Sequence, residues 1–306
     1  MRDGHPAVAG VLVFAGSLLV VALVFSVWAN RQALDTDSWV KTSDRILEDP
    51  DVQVELAQYI SDEFLNSIDL EGVTRPDLPV QLQDLPDVTP EGLRRETPVE
   101  VLKSLNSPRF KAVWSEANRT AHEVLLADID GTPEQDGTVT LDLNPIVTGI
   151  SQELGFDDSV TSRISPQVAR LTVLEGSEVE TARDSVGAAR AAQWVFAVLV
   201  ALFFGAALLL AGSYRRMIVL ASGIGLVAAG VVALLLRGAA SSSVAEWLTA
   251  DVSARPAVES AWSIGTSQLV TVSVWTMALG TVIALAAVLA HFWSSDTDRY
   301  REYPGN

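Results

Sequence analysis

The chain has 306 residues, no cysteine and a formal charge of −17. The lack of cysteine excludes disulfides, thiol catalysis and Cys-ligated metal. The charge is confined to one segment: residues 29–190 carry 31 acidic and 14 basic side chains, and the remainder balances. An acidic segment of domain size argues against nucleic acid, whose phosphates need Lys and Arg, and against tight docking on anionic lipid.

Ala7 to Trp28 runs without a charge. At about 1.5 Å per residue it reaches roughly 33 Å, enough for a hydrocarbon core of about 30 Å. Val27-Trp28-Ala29 has the small-residue spacing of a signal-peptidase site. The length of the run and the weakly charged start favour an uncleaved anchor over residues 1–29.

An acidic extracytoplasmic domain is expected over residues 30–190. Asp35-Thr-Asp37-Ser38-Trp39 is a helix-capping run, and Asp49-Pro50 pairs an N-cap with a proline at the first helical position. Val52, Leu56, Tyr59, Ile60 and Phe64 then recur at helical spacing. Asp69 to Pro90 is broken by four prolines with leucines between them. It reads as a long loop packed on the domain, with a short turn of helix. Thr97-Pro98-Val99-Glu100 has the form of a capping box. Ser107-Pro108 repeats the device and opens a helix marked by Phe110, Val113, Trp114, Ala117, Ala121, Val124 and Leu125. Leu47-Glu-Asp-Pro50-Asp-Val52 and Leu105-Asn-Ser-Pro108-Arg-Phe110 look alike, either as a duplicated unit or as a shared way of starting helices.

Asp128 to Gly137 reads as an acidic turn-rich loop. Thr138 to Leu143 alternates as a strand does, Asn144-Pro145 opens a helix through Leu154, and Arg170 to Leu174 is a second strand candidate. Ser177 and Glu180 form a capping box that starts a helix running into the apolar stretch Ala191–Tyr214. Gly187 is the weak point in an otherwise continuous connection.

Residues 191–293 read as a three-span membrane region: Ala191–Tyr214, Met217–Leu236 and Leu269–Trp293, with an outer loop at 237–268. A short tail, 294–306, follows. Arg215-Arg216 lies in the turn between the second and third spans, and Arg299 and Arg301 follow the fourth. The positive-inside rule makes both sites cytoplasmic, puts both termini inside and the acidic domain outside. In the outer loop, Trp247 and Trp262 either rest at the membrane surface or pack against the domain. Ala221, Gly225, Ala229 and Ala233 form a small-residue stripe, as do Thr276, Gly280 and Ala284, and Ala197, Ala201 and Gly205. Such stripes mark close helix packing, within the chain or between copies.

The spans carry no Asp, Glu, Lys or Arg, which argues against an ion-coupled carrier. No catalytic signature, phosphate-cradling glycine loop or cofactor motif is present, so no catalytic residue and no cofactor is expected. His122, the sole histidine of the acidic segment, reads as a surface or core-edge residue. The candidate metal ligands are Asp128, Asp130, Glu134 and Asp136, because calcium takes several oxygens on a tight loop. The EF-hand pattern fails there, and a solvated loop is the competing reading.

Ala33-Leu-Asp35-Thr-Asp37-Ser-Trp39, the Leu47-Glu-Asp-Pro50 start, Thr140-Leu-Asp142-Leu-Asn-Pro145 and Thr172-Val-Leu174 resemble an uncharacterised family of actinobacterial multi-pass integral membrane proteins. The resemblance covers the first span, the domain and the second span. It implies an extracytoplasmic domain after the first span and brings no activity. The expected fold is thus a membrane protein with a four-span α-helical bundle. Its extracytoplasmic domain is mainly helical, α+β, and contains a small β ribbon. The expected function is a non-enzymatic cell-envelope protein whose outer domain binds a membrane or envelope partner. The alternatives are a ligand-binding sensor signalling through the 177–216 helix and an envelope enzyme with an unrecognised site. The bilayer, a protein partner and a second copy of the chain are the expected contacts, without nucleic acid.

Overall fold

The computed structural model describes residues 5–67, 75, 78, 80–130, 138–142, 170–175, 177–249 and 253–299. The described residues are almost entirely helical. The helices are α1 (Pro6–Leu34), α2 (Thr36–Leu47), α3 (Pro50–Ser67), α4 (Val80–Gln83), α5 (Pro90–Leu105), α6 (Pro108–Asp130), α7 (Ser177–Leu210), α8 (Arg215–Leu248), α9 (Arg255–Gly265) and α10 (Ser267–Arg299). Two short extended stretches, Thr138–Asp142 and Arg170–Glu175, lie between α6 and α7. The chain divides into two compact units. One comprises Met1–Arg31, Gly187–Ser241 and Thr266–Asn306; the other comprises Gln32–Val186 and Ser242–Gly265.

Among the described residues, four stretches are long and apolar enough to cross a membrane: Pro6–Leu34, Asp184–Leu210, Gly212–Leu248 and Ser267–Ala290. Leu202, Leu209, Leu235, Trp275 and Val282 on them are exposed. Water would penalise so much bare apolar surface, and hydrocarbon would not. The pattern is that of a multi-pass membrane protein.

In the first unit α1 is the central helix. Ala9, Val13, Gly16, Val20 and Val24 recur every three or four residues and form its buried face. α7 runs antiparallel beside it. The His5 amide donates to the Leu210 carbonyl at 3.1 Å at one end, Gly16 faces Phe203 and Phe204 midway, and Asn30 Nδ2 donates to the Ala189 carbonyl at 2.5 Å at the other. Further along the same face of α1, Val20 and Val24 pack with Ala229 and Ala233 of α8 and Leu269 of α10. Helix α1 continues unbroken through Val27-Trp28-Ala29 to Leu34, and Trp28 packs on this cluster.

The contact between α8 and α10 repeats every seven residues. Gly223 lies against Gly280, Gly230 against Ser273, and Arg237 Nε donates to Thr266 Oγ1 at 2.7 Å. Seven-residue spacing on two antiparallel helices keeps one seam in register. Side chains at the glycines would prevent the approach: a Cβ on Gly223 would stand 2.7 Å from both the Gly280 carbonyl oxygen and the Ala284 nitrogen. The small-residue stripes therefore divide. Ala229 and Ala233 face α1, and Gly280 and Ala284 face α8. Ala201 and Gly205 on α7 are exposed, and nothing within 4 Å would meet a Cβ on Gly205.

The second unit is built from two helical hairpins, α2–α3 and α5–α6. Asp35 caps α2, accepting from the Ser38 amide at 2.8 Å. Asp49 Oδ1 accepts from Asp51 and Val52 at the start of α3, and Ser107 Oγ accepts from the Phe110 amide at the start of α6. α3 packs on α5, and α2 packs on α6. Leu47, Ala57, Leu105 and Phe110 form one buried cluster, with Leu56, Ile60 and Trp114 against it. A second cluster joins Leu65, Leu78, Leu82, Leu85 and Leu93. It includes Leu78, Leu82 and Leu85 of the proline-rich stretch, and Arg75 Nη1 donates to the carbonyls of Gln83 and Leu85 there; residues 69–74, 76, 77 and 79 lie outside the described residues.

Several local expectations are corrected. Thr97-Pro98 does not start a helix. The start is Thr89-Pro90, where Thr89 accepts from the Gly92 amide, and Pro98 lies inside α5. An interior proline removes one backbone hydrogen bond, at a cost of about 3 kcal/mol. The packing of Leu93, Thr97 and Leu105 holds the helix through it. Tyr59 is 68% exposed, because the buried face of α3 is instead Gln53, Ala57, Ser61 and Leu65. The acidic loop begins later than expected, since α6 runs through Asp130. The loop at 237–268 is largely helical: α8 continues to Leu248, and α9 packs on α2 and α3. The helix expected from Asn144 to Leu154 lies outside the described residues.

Candidate functional site

The four candidate metal ligands are not brought together by described structure. Asp128 and Asp130 sit in the last turn of α6, and Glu134 and Asp136 lie outside the described residues. Among the described residues no group of three or more His, Asp or Glu side chains is arranged to hold a metal ion.

The most structured polar site surrounds His122. It is only 4% exposed, so the edge placement expected from its acidic neighbours is corrected. Its ring stacks on Trp39 at 5.1 Å with an interplanar angle of 19°. Nε2 lies 3.2 Å from the Ala33 carbonyl and Nδ1 3.0 Å from Thr36 Oγ1. A carbonyl only accepts, so Nε2 bears the proton, and in the neutral ring Nδ1 accepts from the threonine hydroxyl. The Ala33 carbonyl is among the last of α1, where helical partners run out. His122 on α6 thus caps α1 and holds the first turn of α2 in one arrangement. The line Ser115, His122, Ile129, spaced by seven on α6, is the signal in the sequence that places it inward. Ser115 bonds Asp44, and Ile129 is buried.

Charge is arranged around this point. Arg119 Nη2 donates to Asp37 Oδ1 at 2.9 Å, and Nη1 lies 3.8 Å from Glu123. The Asp37 bond, with Asp37, Glu123 and Glu116 around it, holds the Arg119 guanidinium still more firmly protonated than usual. These pairs are exposed, and solvent screening leaves each of them contributing little.

The other patterned surface is the outer face of α3. Val54 and Tyr59 are exposed there, interleaved with exposed Asp51, Gln58, Asp62 and Glu63. Apolar side chains among carboxylates give a face that water tolerates but does not require. At the end of α8, Trp247 is 84% exposed, whereas Trp262 on α9 is half-buried. The two tryptophans of the 237–268 segment thus have different surroundings.

No protein-family model matches the chain, and no curated protein or solved structure is significantly similar to it.

Proposed function

We propose that this chain is a multi-pass membrane protein whose acidic helical domain lies on the extracytoplasmic side of a cell envelope and binds a partner protein without catalysing a reaction. The outer face of α3 carries the reading: Val54 and Tyr59 stand exposed among Asp51, Asp62 and Glu63. Such a face suits a partner that is apolar at its centre and basic at its rim. Arg215 and Arg216, beside the turn between α7 and α8, support the orientation, because short loops rich in Arg stay inside. The likeness to actinobacterial membrane proteins belongs to the same proposal.

The domain is taken as mainly helical with a small antiparallel ribbon. Thr138–Asp142 runs against Arg170–Glu175, with Val139 opposite Leu174 and Leu141 opposite Leu171, and an irregularity after Val139. That register supports the ribbon. The exposed stripe on α7, Ala201 and Gly205, suits contact with a second copy within the bilayer.

Two measurements test the reading. A photo-crosslinking residue at Gln58, used in native membranes, is expected to give one reproducible adduct that Tyr59→Ala removes. Diffuse labelling, or an adduct indifferent to Tyr59, rejects the α3 face. A single cysteine at Gln58, in a chain with no others, is expected to react with an impermeant maleimide in intact cells. Protection there until lysis reverses the topology.

A further inference from the structure

Three arginines of the first unit stand at one height, where its helices lead into the second unit. The bond from Asn30 to the Ala189 carbonyl sets Arg190 of α7 level with Ala29 of α1. Ser17 lies against Gly225 and Val24 packs with Ala233, so α8 runs parallel to α1 and Arg237 reaches the same level. Arg31 follows at the end of α1, and at about 1.5 Å per residue all three fall within about 5 Å along the bundle. No acidic side chain lies between residues 5 and 31, 187 and 241 or 266 and 294, so this unit supplies no carboxylate at that height. Asp35 and Asp184, the nearest acids in sequence, belong to the second unit. Arg31 and Arg190 are exposed, and Arg237 is half-buried with its Nε on Thr266 Oγ1.

The surface beneath these charges is apolar. Leu235 and Leu236, just before Arg237, are exposed, and Trp194, one turn from Arg190 toward the middle of α7, is 69% exposed. A guanidinium above bare apolar side chains matches a phospholipid, with its phosphate at the surface and its acyl chains within. A free phosphate makes no use of the apolar part. Arginine grips phosphate through a paired fork of N–H donors. Three such charges without a carboxylate among them favour a head of net negative charge over a zwitterionic one, whose own cation offsets the phosphate.

We propose that this rim is a binding site for anionic phospholipid. The Arg31, Arg190 and Arg237 guanidiniums hold headgroup phosphates, and Leu235, Leu236 and Trp194 meet the acyl chains. The site goes beyond the partner-binding reading and needs only that the apolar helices cross a bilayer. Bound lipid then fixes the depth of the unit, because three helices are held to the phosphate layer at one height.

The test uses the full chain in detergent micelles, with retained lipid counted by native mass spectrometry. Arg215→Gln and Arg216→Gln form the background, since they remove the paired arginines at the opposite end of the helices. The probes are phosphatidylglycerol and phosphatidylcholine with identical acyl chains, supplied in equal amounts. Phosphatidylglycerol is expected to be retained at least five-fold over phosphatidylcholine. Arg31→Gln with Arg190→Gln should lower that ratio at least two-fold, and Arg237→Gln added to them should bring it close to one. Thr266→Val, which breaks the Arg237 bond and keeps the charge, should preserve the ratio. A ratio near one in the background chain overturns the proposal. So does a ratio indifferent to the arginine variants, or one that Thr266→Val lowers as far as Arg237→Gln does. Displacement of the lipid by millimolar inorganic phosphate also overturns it, in favour of a free-anion site. The ratio is independent of the Gln58 adduct and of the side on which the domain lies, so failure of either reading leaves the other standing.

Discussion

Gln53 and Asn106 exchange two amide hydrogen bonds, each 3.0 Å long. They lie at the turns in the middle of the two hairpins, Asn106 within one of the stretches that look alike in sequence and Gln53 one residue beyond the other. Glu48 and Lys111, which pair at 3.3 Å, occupy the positions that correspond to Asn106 and Gln53 in the opposite hairpins. Leu47 and Leu105 correspond in the same way, and both are fully buried in one cluster. The second unit therefore has an approximate internal two-fold relation: α2 meets α6 as α5 meets α3. The two equivalent contacts differ in chemistry. One is a part-buried pair of neutral amides, the other an exposed ion pair.

That difference is measurable. Gln53→Ala should destabilise the unit by about 1 kcal/mol, because it removes both amide bonds and the contacts of the buried Gln53 side chain, while Asn106 keeps its bond to the Leu102 carbonyl. Lys111→Ala should change stability by less than about 0.5 kcal/mol. Urea unfolding followed at the domain's helices checks both. A larger loss at Lys111 than at Gln53 would reverse the assignment of which contact matters.

His122→Ala should cost about 1–3 kcal/mol, by removing the cap on Ala33 and the partner of Thr36 together. Hydrogen exchange is expected to accelerate first at the α1–α2 junction, around Leu34 and Asp35. Uniform acceleration across α6 instead would mean that the side chain serves α6 packing and not the cap.

Asp87 couples helix α5 to acid. Its Oδ1 accepts from the Thr89 hydroxyl at 2.7 Å and from the Thr89 amide at 3.0 Å, and Thr89 in turn caps Gly92. These two bonds, with Arg95 nearby, hold the Asp87 carboxyl below the ordinary aspartate value. A depressed carboxyl contributes its stability above the unfolded value of about 3.9 and loses it as pH falls through the lower folded value. Amides of Gly92 and Leu93 should therefore gain exchange as pH drops below about 4. Asp87→Asn should remove most of that pH dependence.

The glycines of the membrane unit predict opposite outcomes. Gly223→Ala drives a Cβ into the Gly280 carbonyl at 2.7 Å, and overpacking of this kind costs about 1–3 kcal/mol. Gly205→Ala meets nothing within 4 Å and should be neutral, or stabilise α7 by up to about 1 kcal/mol. Detergent unfolding of the two variants, compared with the parent chain, distinguishes them.

The sequence made the spans readable because twenty uncharged apolar residues leave few alternatives. It also announced the caps at Asp35, Asp49 and Ser107, where a side-chain acceptor precedes a helix. Thr97-Pro98 misled because a local cap signal says nothing of the packing that carries α5 through it. The α8–α10 seam was missed for a different reason. Four-residue spacing picks out a stripe on one straight helix, while Gly223, Gly230 and Arg237 repeat by seven, the period that two coiled helices share. His122 was obscured by charged neighbours, since its partners come from residues more than eighty positions away. The seat of α9 was least legible, because a half-buried amphipathic helix fits a bilayer surface and a protein groove equally well.

The seat of α9 also imposes an order on synthesis. α3 ends at Ser67 and α9 begins at Arg255. A ribosome adding about 5–20 residues per second needs on the order of ten to forty seconds to cover that distance. Through that interval the nascent first hairpin exists without its own cover. Any helix that meets it then competes with one not yet made.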